Sequence, residues 1–200
     1  MMTTDEVLEA VRRLTRDTEA DYINTDDEVY AAIATAQDTM AVETEVLQRD
    51  VPVTYLATAT SVALPEFILR PLRVKYMNKI YDVLNIDRAL GYPPPKFSHD
   101  LGNLYMDPIP QVDTPINVKA VTLPEHQPSE SNQVLEIPER LHYALAVGAS
   151  VILMRMLDAD TEDYKRLAML EAEWSKHLLE ARRYAALHNR TQKPIRYGGL

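Results

Sequence analysis

The sequence predicts a mainly α-helical fold, with a helical bundle, an antiparallel β insertion and an extended C-terminal arm. Apolar residues recur at helical spacing in residues 1–50 and 134–188. Residues 51–133 instead contain short alternating runs and most of the 13 prolines. We therefore expect 1–50 and 134–188 to form the bundle, 51–133 to form the insertion and 189–200 to form the arm.

Two capping-box patterns mark the starts of the N-terminal helices. Thr3 is followed three residues later by Glu6, and Thr25 by Glu28 in the same way. Apolar residues follow each pattern at helical spacing, and the first turn of the second helix holds three acids, which suits the positive end of a helix dipole. The sequence therefore predicts a short helix and then a longer one.

The middle region is typical of an antiparallel β module. Residues 72–77 alternate between apolar and polar side chains, and a turn at 78–79 is expected to reverse the chain. Residues 96–107 contain a central glycine and are expected to form a second hairpin. Residues 51–56 and 116–123 are the first and last predicted strands.

Two further helices are predicted near the C-terminus. The first begins at Pro138, a residue favoured in the first turn of a helix, and is apolar on most of its faces to about residue 157. Such a helix is either buried centrally or lies in a subunit interface. The second, over 162–188, is long and amphipathic. Residues 189–200 contain one proline and two glycines and are expected to be extended or disordered alone.

The charge is distributed unevenly along the chain. The net charge is −9, and residues 1–50 alone hold 13 acids and 4 bases, whereas residues 182–200 hold 5 bases and no acid. An acidic body with a basic end suggests an electrostatic partner for the tail. A solvated tail with incidental arginines is the alternative interpretation.

Several classes of protein are excluded or disfavoured by composition. The chain has no cysteine, which excludes disulfides, thiolate zinc sites and thiol nucleophiles. The acidic N-terminus does not resemble a secretory signal, and the longest apolar stretch, 143–154, is too short to span a bilayer. We therefore expect a soluble protein made in the cytoplasm.

The sequence shows no pattern that requires catalytic, metal or cofactor chemistry. It contains no phosphate-binding loop, dinucleotide fingerprint, nucleophile elbow or zinc-binding helix. Acids cluster at two predicted helix starts, namely Asp26, Asp27 and Glu28, and then Asp158, Asp160, Glu162 and Asp163. Capping and dipole effects favour acids at such positions. The five histidines are not spaced as ligands, so we predict no catalytic residue, no metal and no cofactor.

The order of these segments resembles that of the head-to-tail adaptor proteins of tailed bacteriophages. The resemblance extends from about residue 3 to residue 188 and depends on the order of several short segments. They are the helix end at 14–18, the helix start at 25–30, the segments at 64–66, 71–74 and 80, the proline-containing stretches at 91–97 and 104–110, and the helix start at 137–141.

The resemblance implies a structural protein of the virion, located at the head-to-tail junction. It implies a ring of twelve copies that docks under the portal, extends the DNA channel without sequence-specific binding and provides the attachment site for tail or nozzle proteins. Contacts between copies are expected at Tyr143, Val151, Leu167 and Trp174. The arm is expected to bind the portal through Arg190, Lys193, Ile195, Arg196, Tyr197 and Leu200.

Two other classes of function remain open from the sequence. One is a cell-wall hydrolase carried in a virion, which would need two inward carboxylates in a cleft. The other is a DNA-binding module that uses the basic tail, although an acidic body would repel DNA.

Overall fold

The chain folds as a helical unit joined to a strongly curved β-sheet, and it is not mainly α-helical as the sequence predicted. The computed structural model describes residues 3–18, 23–85, 94–131, 133–156 and 161–188. Of these residues, 45% are helical and 28% lie in strands. The predicted class was wrong because the extended segments do not form a minor insertion. They join into a seven-stranded sheet that is nearly closed into a barrel.

The helical unit contains four α-helices. They are α1 (Thr4–Thr15), α2 (Asp26–Thr44), α3 (His142–Met156) and α4 (Thr161–His188), and a 3-10 turn at Glu139–Leu141 leads into α3. Helix α3 packs against the other three helices and is buried on most of its faces. Most of α3 is therefore buried within its own subunit, which is one of the two possibilities that its apolar sequence left open.

Both predicted capping boxes are present. The Thr3 N–H donates to Glu6 Oε2 at 3.0 Å, and the Thr25 N–H donates to Glu28 Oε2 at 2.7 Å. The Glu28 N–H in turn donates to Thr25 Oγ1 at 3.3 Å. These bonds satisfy N–H groups that lack a partner within the helix, which explains why both helices begin where the sequence indicated.

The sheet contains seven strands from the middle of the chain. They are β1 (Gln48–Tyr55), β2 (Val62–Ala63), β3 (Ile68–Tyr76), β4 (Lys79–Asn85), β5 (Lys96–Asp100), β6 (Asn103–Asp107) and β7 (Thr114–Thr122). Their order in space is β1-β7-β3-β4-β5-β6-β2. All neighbouring strands are antiparallel except β4 and β5, which are parallel, so the expectation of a wholly antiparallel insertion was also wrong.

Two tight hairpins use left-handed backbone conformations. Met77 and Asn78 have φ values of 48° and 61° between β3 and β4, one residue before the predicted turn. Leu101 and Gly102 have φ values of 44° and 77° between β5 and β6. Two consecutive residues with positive φ match the twist of antiparallel strands, and this geometry explains the tight reversals.

Tyr55 links β1 to β6, two strands that are far apart in the order of the sheet. Its hydroxyl accepts a hydrogen bond from the Met106 N–H at 3.2 Å and donates to the Thr60 carbonyl oxygen at 2.8 Å. The sheet therefore curls around an apolar interior. That interior contains Tyr55, Val74, Phe97, Leu104, Met106, Ile116, Val118 and Ala120.

The barrel is attached to the helical unit at one end. The Thr122 N–H donates to the Leu47 carbonyl oxygen at 3.1 Å, and Arg70 forms an ion pair with Glu45 at 2.5 Å. The opposite end of the barrel contains the end of β1, the turn at 77–78 and the loop at 108–113. We call this opposite end the distal end of the barrel.

Candidate interaction surfaces

The acids at the start of α2 belong to a structural ion-pair cluster. Arg12 is 6% exposed, and its guanidinium donates to Asp17 and to the Asn24 carbonyl oxygen, each at 3.2 Å, and also to Asp26. Burial by itself raises the pKa of the Asp17 carboxyl, but N–H donors of Asn24 and Ile23, with the charge of Arg12, outweigh it and lower the pKa. This cluster fastens α1 to α2.

No metal site is formed by the residues that the structure describes. Within those ranges, no group of three or more His, Asp or Glu side chains could hold an ion. The second acidic cluster falls largely outside them, since Asp158 and Asp160 are not described. His142 is a satisfied core residue whose Nε2 lies 2.8 Å from the Ile137 carbonyl oxygen.

Glu43 and Glu45 are two carboxylates that line a cleft beside the end of α4. Arg182 donates to Glu43 at 3.2 Å, and Arg70 donates to Glu45 at 2.5 Å. Because each carboxylate is bound by its own arginine, the pair fits ion pairing between elements better than general acid–base catalysis.

The four predicted subunit-interface residues fall into two groups. Val151 is 3% exposed and packs with Leu167 and Trp174 in an apolar cluster between α3 and α4. Tyr143 lies on the surface, 44% exposed, and its ring centroid is 5.9 Å from that of His177, with the two rings nearly perpendicular. The structure therefore places Tyr143 where another molecule can reach it and the other three mainly inside the α3–α4 pair.

Five exposed apolar side chains lie on α3 and α4 outside that cluster. It contains Met156, Tyr164, Met169, Leu179 and Leu187, with exposed fractions of 76%, 62%, 73%, 47% and 67%. These side chains are candidates for contact with another molecule. Tyr164 belongs to the apolar stripe that predicted this helix, whereas Met169, Leu179 and Leu187 lie off that stripe and were missed.

A second exposed apolar surface lies at the distal end of the barrel. Leu56, Met77, Ile80 and Val112 are 58%, 75%, 65% and 69% exposed. A groove of about 470 Å³ adjoins them, lined by Tyr76, Met77, Lys79, Tyr81, Pro94, Pro95, Met106 and Pro108. The signal in the sequence was apolar residues in or next to turns, where polar residues are usual.

The predicted portal-binding residues of the C-terminal arm, from Arg190 to Leu200, lie outside the described residues. Arg182 and Arg183 are the described bases of the basic end, and Arg182 Nε donates to the Glu43 carbonyl oxygen at 3.0 Å. At least one base of the basic end therefore pairs with the acidic helical unit of its own chain.

Comparison with known protein families identifies the chain. The family described as SU10 adaptor protein matches residues 2–197, which is nearly the whole length. The chain belongs to the SU10 adaptor family. The predicted resemblance to phage head-to-tail adaptors is thereby confirmed. No curated protein matches the chain significantly.

Membership of the SU10 adaptor family gives this protein a structural role as a phage adaptor and makes it a component of the virion. Such a role is consistent with two separate exposed apolar surfaces, because an adaptor contacts more than one neighbour. Among the described helices of this adaptor, none is long and apolar enough to cross a bilayer.

Proposed function

We propose that this adaptor docks as a ring beneath the portal, extends the DNA channel and carries the attachment site for tail or nozzle proteins. The family match over residues 2–197 is the observation that carries the proposal. The two exposed apolar surfaces support it, since one lies on the helical unit and the other at the distal end of the barrel. A ring subunit between two other assemblies needs such separated contact surfaces.

Contacts between copies are proposed to involve the α3–α4 pair. Tyr143 provides a direct contact because it is 44% exposed, and tyrosine combines an apolar ring with a polar hydroxyl. Val151, Leu167 and Trp174 act by fixing the two helices to each other, so that the exposed side chains of α4 are held in one arrangement. Twelve copies are proposed, to match the portal ring.

Docking on the portal is proposed to use the C-terminal arm. Arg190, Lys193 and Arg196 carry charge opposite to that of the acidic helices, and arginine binds carboxylates through two parallel hydrogen bonds. Ile195 and Tyr197 are alternate residues and would share one face if the arm added as a strand to a sheet edge, with Leu200 at the end of the arm. Genomic DNA passes through the ring without sequence-specific contacts.

Co-sedimentation with purified portal rings tests this proposal. The full chain is expected to pellet with the rings, whereas a chain lacking residues 191–200 and the variant Arg190→Glu, Lys193→Glu, Arg196→Glu are expected to remain in the supernatant. The charge-matched control Arg13→Glu, Arg16→Glu, Lys75→Glu alters two arginines and one lysine that are exposed elsewhere, and it is expected to pellet normally. Binding of the truncated chain as tight as that of the full chain would show that the arm is not the docking element.

A further inference from the structure

Strand β1 lies at one end of the sheet, and among the described strands it pairs with β7 alone. The register is regular along the whole of β1, with Asp50 opposite Lys119. The Thr122 N–H donates to the Leu47 carbonyl oxygen at 3.1 Å, so the odd-numbered residues of β1 are those that exchange hydrogen bonds with β7. The backbone groups of the even-numbered residues therefore point away from β7.

The other edge of β1 presents unpaired backbone groups. Among the residues that the structure describes, the N–H groups of Gln48, Asp50 and Thr54 have no hydrogen-bond partner. Pro52 has no N–H to place on this edge, and proline within a sheet is usually found on such a free edge. The strand at the other end of the sheet, β2, has two residues and pairs with β6, so it does not pair with this edge.

The open part of the edge is the first half of β1. At the distal end, the Tyr55 side chain reaches across to β6 and accepts a hydrogen bond from the Met106 N–H at 3.2 Å, which closes that part of the seam. Residues 48–52 precede this closure and lie nearer the helical unit. There, Gln48 and Asp50 can each donate to and accept from a partner strand, and Pro52 can accept.

The side chains of β1 alternate between the two faces of the sheet. Val51 lies on the same face as the buried Tyr55 and is 8% exposed, whereas Asp50 and Pro52 lie on the outer face and are exposed. Asp50 has Lys119 beside it on β7 and faces the unpaired edge on its other side. A strand added to this edge would therefore place apolar side chains beside Val51 and would favour a base beside Asp50.

A row of free backbone donors and acceptors is matched by another extended polypeptide, whose N–H and C=O groups have the same spacing. Asp50 and Pro52 oppose unselective pairing between edges, so this edge requires a partner of suitable sequence. We propose that residues 48–52 bind an extended segment of another protein as an added antiparallel strand, in which apolar residues on the inner face alternate with basic residues on the outer face. This surface is separate from the C-terminal arm, so the proposal and docking through the arm can fail independently.

Amide hydrogen exchange of the full chain, followed by NMR with and without a peptide, tests the proposal. The probe is acetyl-Lys-Val-Lys-Val-Lys-Val-Lys-amide, which alternates as the site requires. The N–H groups of Gln48 and Asp50 should exchange about tenfold more slowly at a peptide concentration of about ten times the Kd. The N–H groups of Arg49 and Val51 already bond to β7 and should change little, so they are the internal control.

Two N-methylated forms of the peptide separate strand addition from other modes of binding. In the added strand, the lysine amides point toward β1 and the valine amides point away from it. Methylating the lysine amides should abolish the slower exchange at Gln48 and Asp50, whereas methylating the valine amides should preserve it.

Equal effects of the two methylated peptides would overturn the proposal. No saturation by the unmethylated peptide at about 10 mM would also overturn it, and would show that Asp50 and Pro52 only protect the edge from pairing. Slow exchange at Gln48 and Asp50 before any peptide is added would overturn it as well, because the edge would then already be covered.

The variant Asp50→Lys tests the basic residues assigned to the partner. The parent should bind the lysine peptide several-fold more tightly than acetyl-Glu-Val-Glu-Val-Glu-Val-Glu-amide, and Asp50→Lys should lose this preference because its own base faces the added strand. Asp27→Lys makes the same change in the first turn of α2 and should keep the preference of the parent. An unchanged preference in Asp50→Lys would overturn the assignment of basic residues to the partner.

Discussion

Trp174 of α4 packs directly on the backbone of Gly148 in α3. A Cβ atom added at Gly148 would lie 2.8 Å from Cζ3 and 2.9 Å from Cη2 of the Trp174 ring. These distances are well inside van der Waals contact, and the indole is part of an apolar cluster that also contains Val151 and Leu170. The absence of a side chain at Gly148 therefore sets how closely α3 and α4 approach.

Replacing Gly148 by valine is expected to destabilise the protein by about 1–2 kcal/mol. Overpacking a well-filled core typically costs about 1–3 kcal/mol. Replacing a helical glycine recovers at most about 1 kcal/mol of this cost, because glycine has a low helix propensity. Chemical denaturation of Gly148→Val measures the change. Ala172→Val, on the exposed side of α4, is the control and should change the unfolding free energy by less than about 0.7 kcal/mol. Equal effects would contradict the close packing described here.

Asp17→Asn is expected to lower the unfolding free energy at neutral pH by about 2–4 kcal/mol, since it leaves the buried Arg12 with fewer charged partners. The folded pKa of Asp17 lies below its ordinary value of 3.8, so its stabilising effect is present above that pH. The effect is lost as pH falls through the lower, folded pKa. Denaturation of the variant and the parent between about pH 7 and pH 2 should show the two converging in acid.

Two neighbouring acids provide an internal control for this ion-pair cluster. Asp26 binds Arg12, whereas Asp27 is exposed in the first turn of α2. We therefore expect Asp26→Asn to destabilise the protein more than Asp27→Asn, which should cost under about 1 kcal/mol.

Replacing Asp26, Asp27 and Glu28 together by Asn, Asn and Gln should abolish no chemical activity. A hydrolysis that disappears in this triple variant would contradict a structural role for these acids.

Tyr55→Phe is expected to destabilise the barrel by about 1–3 kcal/mol, because it leaves the buried Met106 N–H and the Thr60 carbonyl without their partner. Tyr105→Phe removes a hydroxyl from a partly exposed position and is the control. Hydrogen exchange at the Met106 amide should accelerate in Tyr55→Phe and remain unchanged in the control. Unchanged exchange in Tyr55→Phe would mean that this hydroxyl does not hold β1 against β6.

Deleting residues 191–200 is expected to leave the thermal unfolding temperature unchanged. The segment has little apolar surface to bury, with one proline and two glycines, so it contributes little to folding alone. In the phage, the same deletion should prevent attachment to DNA-filled heads and leave particles that leak their genome. A lowered unfolding temperature would instead indicate that the arm packs on its own chain.

The features that were predicted correctly from the sequence are local ones. The capping box needs only Thr25 and Glu28, which are three residues apart, so the start of α2 is predictable from the local sequence. The positive-φ turn at Leu101 and Gly102 likewise depends on adjacent residues, one of them a glycine. These signals located most helices and strands to within a few residues.

The features that were missed depend on residues far apart in the chain. Tyr55 and Met106 close the barrel across 51 positions, and no spacing rule connects them. Strands β4 and β5 are parallel and are joined by a connection of ten residues. The prediction of an antiparallel module assumed that each strand pairs with the next one through a hairpin. The complete burial of Gln37 on α2 was missed for the same reason, because Pro128 and Leu135, which line a cavity together with it, come from a distant part of the chain.

A cryo-electron microscopy reconstruction of the virion at the junction of head and tail tests the central claim most directly. We predict a ring of density directly beneath the portal in which the four helices and the seven-stranded barrel of each copy can be fitted. The α3–α4 pair should lie at subunit contacts, and the distal end of the barrel should be covered by a neighbouring protein. Density for this protein located only away from the portal–tail axis would contradict the account.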